Sequence, residues 1–156
     1  MSTLKKQPIK HLWSMFCQRS LIDGNTNSIS LIDIIEQLNI TADQSEYDKL
    51  NKENDGAIKI PLGFELVNLW DREDDLSSRL EKRIAIDVFD PQGKKIISGS
   101  NHAIFEKDKK RMRMVNRFSG FKLTSSGKYK FVIKLGDEKD ECVMHELFLD
   151  VKITFK

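Results

Sequence analysis

From Val143 to Lys156 the chain alternates with a period of two. One parity reads Val143, His145, Leu147, Leu149, Val151, Ile153, Phe155; the other reads Met144, Glu146, Phe148, Asp150, Lys152, Thr154, Lys156. Successive side chains of a β-strand point to opposite faces, so this run predicts a long strand with one buried face. Residues 128–135 repeat the pattern, with Tyr129, Phe131, Ile133 and Leu135 alternating against Lys128, Lys130 and Lys134. The polar stretch Gly136–Glu141 between the two runs predicts an antiparallel hairpin.

The same logic extends upstream. Asp90-Pro91-Gln92-Gly93 is a turn, because Pro pre-sets φ and Gly accepts a positive φ. It joins Ile84–Asp90 to Lys94–Ile104. Asp23–Asn27 predicts a second turn between Ile9–Leu21 and Ser28–Leu38, the latter read as a strand followed by a bulge. In Ile9–Cys17 the parity is mixed, and burial of that strand on both faces would explain it. A further strand enters at or after Pro61 and runs to Trp70. Segment 41–57 is a polar loop or a short helix, with Thr41 and Gln44 as a capping pair. Asp71–Arg83 is charged and fits a helical turn over one sheet end.

Together these elements predict an all-β antiparallel β-sandwich, immunoglobulin-like or a similar Greek key. It has about seven or eight strands and at most one or two short helices. Gly127-Lys128-Tyr129 matches a tyrosine corner, in which the Tyr hydroxyl bonds backbone just upstream. The chain reads as one domain over residues 1–156, with 1–8 a flexible N-terminal segment.

Composition removes several function classes. The chain has 156 residues, 39% hydrophobic and 32% charged, with a net charge of +2. That is enough apolar material for a core without disulfide or metal. No apolar run approaches the ~18 residues a membrane helix needs, and the N-terminus lacks a secretory signal pattern. Cys17 and Cys142 stand alone in apolar stretches, which predicts buried free thiols and a cytoplasmic location. Residues 1–78 carry 8 basic and 13 acidic side chains, and residues 79–156 carry 18 and 11. Such a split fits an electrostatic partner or a self-complementary dimer.

Taken in order, several pieces carry a resemblance. They are the first strand with Trp13 and Cys17, Ser28–Ile35, Ile60–Trp70, Asp90–Lys94 and Gly127–Phe131. The arrangement resembles a family of small bacterial proteins known only as a domain of unknown function. The resemblance implies an all-β sandwich and brings no activity, cofactor or catalytic residue.

One candidate site stands out. Lys107, Lys109, Lys110, Arg111, Arg113 and Arg117 place six basic residues against the single acid Asp108 in eleven positions. On one strand, Arg111, Arg113 and Arg117 share a face, which suits an anionic partner; nucleic acid is not favoured, because no aromatic is interleaved to stack bases. The competing reading is a charged hairpin that protects a sheet edge. The acidic runs Asp71–Asp75 and Asp137–Glu141 lack a calcium-loop pattern. His11, His102 and His145 show no convergent spacing, with His145 at core-facing parity. Ser98–His102 lacks the context of a nucleophile elbow. No catalytic residue, metal ligand or cofactor is therefore expected. The expected function is a non-catalytic interaction or assembly module, self-associating or bound to a protein partner, with a nucleic-acid or anionic-partner binder using residues 107–117 as the alternative.

Overall fold

The computed structural model describes residues 8–53, 58–59 and 62–156. The flexible segment expected at 1–8 lies outside these residues except for Pro8, and Pro61 also lies outside them. Two β-sheets pack face to face. The first has the order β2 (Ile29–Ile34), β1 (Ile9–Ile22), β5 (Gly63–Arg72), β8 (Arg111–Ser119). The second has the order β3 (Gln37–Ala42), β11 (Cys142–Phe155), β10 (Gly127–Leu135), β6 (Leu80–Phe89), β7 (Lys95–Phe105). A two-residue ribbon, β4 (Ile58–Lys59) with β9 (Lys122–Leu123), sits at one end. The one helix among the described residues is α1 (Gln44–Glu53). The expected all-β sandwich is therefore observed, and its two sheets together hold nine strands rather than seven or eight.

The extra strands have a physical origin. Ser28–Leu38 is not one strand with a bulge but two strands in different sheets. Asp33 adopts φ 52°, the chain crosses over, and β3 then pairs with β11. That pairing is parallel, the exception in an otherwise antiparallel fold. Residues 71–83 form no helical turn. They complete β5, pass through a loop and begin β6. Segment 41–53 opens with the end of β3 and continues as the helix. Its N-cap is Asp43 rather than Thr41, because the Asp43 carboxylate accepts the Ser45 and Glu46 amides at 2.8 and 3.2 Å.

Alternation decides what fills the core. Tyr129, Phe131, Ile133 and Leu135 from β10 meet Ile84, Ile86 and Val88 from β6 and Phe64, Leu66 and Trp70 from β5. Phe16, Phe64, Phe121 and Phe131 pack edge-on and stacked, with centroids 4.8–6.4 Å apart. Burial of such side chains contributes roughly 1.5–3 kcal/mol each. The tyrosine corner is present. Tyr129 Oη donates to the Ser125 carbonyl at 2.8 Å and accepts from the Thr124 amide at 2.9 Å. The turn before β7 closes on Gly93, with φ 83°.

Two bulges overturn the simple parity. A register shift between His11 and Trp13 turns Ile9, His11, Ser14 and Phe16 to the core and Trp13, Met15 and Cys17 to the other face. Mixed parity in β1 thus comes from a bulge and, at Phe16 and Cys17, from burial on both faces. β5 is buried on both faces over a longer run, Phe64 through Asn68. A shift opposite Ile133/Lys134 likewise turns Val143 outward, 57% exposed, instead of inward.

Candidate functional site

The basic segment does not form one ridge. Lys107 and Lys109 lie exposed in the turn that links β7 of one sheet to β8 of the other, so the segment is not a hairpin within one sheet. Arg111, Arg113 and Arg117 do share the outer face of β8, but each is engaged. Arg117 Nε lies 2.9 Å from Glu65 Oε1, Arg111 Nε 3.6 Å from Asp71 Oδ1, and Lys110 Nζ 3.8 Å from Asp71 Oδ2. Arg113 Nη2 donates to the Asn27 backbone carbonyl at 2.6 Å and to the Asn27 side-chain oxygen.

These contacts explain the buried outer face of β5. The β1–β2 hairpin runs past the end of its pairing with β5 and folds across the sheet. Its tip reaches Arg113 on the far strand, and its stem is held where Ser20 N and Oγ donate to Glu65 Oε2 at 2.7 and 2.5 Å. Burial alone would push the Glu65 carboxyl up. Hydrogen bonds from Ser20 and Arg117 outweigh it and hold the group below its ordinary value. Cys17, fully buried in β1 between Ile34 of β2 and Glu65 of β5, is pushed up by burial and by the Glu65 charge. Cys17 and Cys142 are both free thiols; Cys17 is buried as expected, whereas Cys142 is only half-buried.

A second feature lies at the rim where β1 and β11 begin. β2 pairs with β1 only from Cys17 onward, and β3 pairs with β11 only from Asp150 onward. Among the described residues, 9–15 of β1 and 142–148 of β11 therefore have no strand on the side away from β5 and β10. The two open edges run along the same side of the sandwich. His11 and His145 stack between them, with centroids 4.5 Å apart. Met15, Val143 and Phe148 on these stretches are 41%, 57% and 54% exposed. Each stretch carries a single ordinary charge, Lys10 or Glu146. Edges are normally blunted by charge, Pro or bulges. β8 has three arginines for this purpose, and β7 has a polar run from Ser98 to His102. The rim at β1 and β11 carries one charge and one bulge on each stretch, at His11/Trp13 and opposite Ile133/Lys134, and it exposes the large apolar side chains Met15, Val143 and Phe148.

The remaining sequence candidates have structural duties. Ser98 donates to Asp87 at 2.6 Å, and His102 lies 3.1 Å from Glu81, so the Ser98–His102 run is plain strand β7. Asp74 holds the buried Arg72 guanidinium, and Glu141 pairs with Arg83 and Lys134 at 2.7 and 3.0 Å. Ser14 lies 2.6 Å from His11 Nε2 but donates its own proton to Asn68 Oδ1, so it is not primed as a nucleophile. Neither bulge nor the folded hairpin has a sequence signal of its own. The open rim could have been suspected from the near absence of charge in Ile9–Phe16.

No family model matches the chain, and no curated protein matches it. Among solved structures it is similar to the C-terminal domain of wzt. The TM-score is 0.54 at 8% identity, covering 95% of this chain and 75% of that one. At that identity the likeness concerns the fold alone, and it agrees with a β-sandwich.

Proposed function

We propose that this chain is a non-catalytic assembly module that pairs with a second copy of itself through the open edges of β1 and β11. The observation that carries this reading is the pair of adjacent, sparsely charged, unpaired edges at one rim. A strand with free backbone groups can pair antiparallel with its own copy across a two-fold axis, and such isologous contacts close into dimers. Because both edges lie along one rim, a single axis can satisfy both. The exposed Met15, Val143 and Phe148 flank the junction and add apolar area to it.

A broad anionic partner on residues 107–117 is the weaker reading, because four of the six basic groups already have partners. We infer a reducing bacterial cytoplasm as the location. The two free thiols support the compartment, and the resemblance seen in the sequence suggests the source. No helix among the described residues is long and apolar enough to cross a membrane.

Light scattering on the eluting protein tests assembly. The account expects a particle of twice the 18.1 kDa chain mass. Replacing the exposed Met15 and Phe148 together by Lys gives a folded monomer. A wild-type monomer at every concentration contradicts the reading.

A further inference from the structure

The folded hairpin creates a cleft that no sequence pattern announces. It encloses about 270 Å³ and is lined by Trp13, Asn27, Ile29, Leu69, Arg111 and Arg113, among others. Strand register builds its floor: Trp13 lies opposite Leu69, and Leu69 opposite Arg113, in one row across three strands. Arg111 stands one row along, opposite Asp71. The hairpin tip, held to Arg113 by Asn27, forms the roof.

The aromatic that the basic segment lacks in sequence is thus supplied by the fold. The indole of Trp13, with Leu69 and Ile29, offers an apolar wall for a flat ring. Beside it, Arg113 spends one nitrogen, Nη2, on Asn27, and Arg111 makes only a long contact to Asp71. Asp71 offsets part of the positive charge of Lys110, Arg111 and Arg113, and the surplus remains positive. A guanidinium pairs with carboxylate or phosphate in a planar, two-pronged geometry. The lining is half polar, with Asn27, Ser28, Arg111 and Arg113 facing Trp13, Ile29 and Leu69, and the volume lies just below the usual range of small-ligand sites, which suits a small, charged ligand.

We propose that this cleft binds a small anion consisting of a flat ring with one carboxylate or phosphate, the ring against Trp13 and the anionic group on Arg111. Trp13 belongs to the 9–15 stretch of β1, but the cleft lies on the outer face of the sheet, over Leu69 and Arg113, and not along the backbone edge proposed to pair.

The chain has two tryptophans, Trp13 and the fully buried Trp70, so a proton–nitrogen correlation spectrum carries two indole signals and an internal control. The probes are benzoate and adenosine 5′-monophosphate, with inorganic phosphate and adenosine as halves of the ligand. The expected result is a saturable shift of the Trp13 signal with benzoate, with the monophosphate, or with both, while Trp70 stays still. A response to one probe alone identifies which combination of ring and anionic group the cleft takes. Each half alone binds at least about tenfold more weakly, and Arg111→Gln weakens binding at least about tenfold with the particle mass unchanged. No saturable shift with either full probe overturns the proposal. So does equal binding of adenosine and its monophosphate, or unchanged affinity in Arg111→Gln.

Discussion

His11 and His145 stack face to face across the two sheets, ring centroids 4.5 Å apart and planes 18° from parallel. His11 also meets the edge of Trp70 at 5.1 Å. The pair closes the mouth of the sandwich at the rim where both edges are open. Burial, and next the charge that His145 can carry, push the His11 imidazole from 6.5 down to about 4.

A depressed histidine makes stability depend on pH in one direction. Between 6.5 and about 4 the unfolded chain binds a proton at His11 that the folded chain refuses. The stability contributed by the neutral ring is therefore full above 6.5 and is lost progressively as pH falls toward 4. Because the ring is only half-buried, solvent screening reduces the effect to on the order of 1 kcal/mol. Thermal unfolding across pH 4–7 should show this slope, and His11→Gln should flatten it. An identical acid slope in the variant would contradict the assignment.

Glu65 fastens the folded hairpin. Glu65→Ala removes the acceptor for the Ser20 amide and hydroxyl and for Arg117. The expected loss is about 1–3 kcal/mol by urea denaturation. Faster hydrogen exchange at the Ser20 amide should accompany it. Retained protection there would mean that another group holds the hairpin.

Tyr129→Phe keeps the ring in the core and deletes only the hydroxyl of the corner. It leaves the half-buried Thr124 and Ser125 backbone groups short of a partner. Roughly 1–3 kcal/mol should be lost. A change within the error of the denaturation midpoint would show that the corner is ornamental.

Gly127 has φ 141°, and a Cβ there would stand 2.8 Å from Pro91 Cβ and Cγ. Gly99, in β7, would meet nothing within 4 Å. Gly127→Ala should therefore destabilise by about 1–3 kcal/mol, from strain and overpacking. Gly99→Ala should be neutral or slightly stabilising. Equal effects at the two sites would contradict this reading of the β6–β7 turn against the start of β10.

What was legible in the sequence was whatever alternates or turns locally. The Lys128–Leu135 and Leu147–Ile153 alternation, the Asp90–Gly93 turn and the Tyr129 corner all follow from chemistry within a few residues. What was hidden depends on partners far along the chain. One extra residue at Leu12 and another near Met144 invert the faces of Trp13 and Val143, and neither carries a Gly or Pro to announce it. The switch of sheets at Asp33–Glu36 rests on a positive φ at an aspartate. The arginines of β8 look like an open ridge until Glu65, Asp71 and Asn27 are brought beside them by tertiary pairing.

The claim of assembly through the β1 and β11 edges is tested most directly by amide hydrogen exchange at a series of protein concentrations. The account predicts that the edge amides in 9–15 and 142–148 become protected as concentration rises, while the β7 and β8 edges do not change. Concentration-independent exchange along both stretches would contradict it, as would protection that arises at β7 or β8 instead.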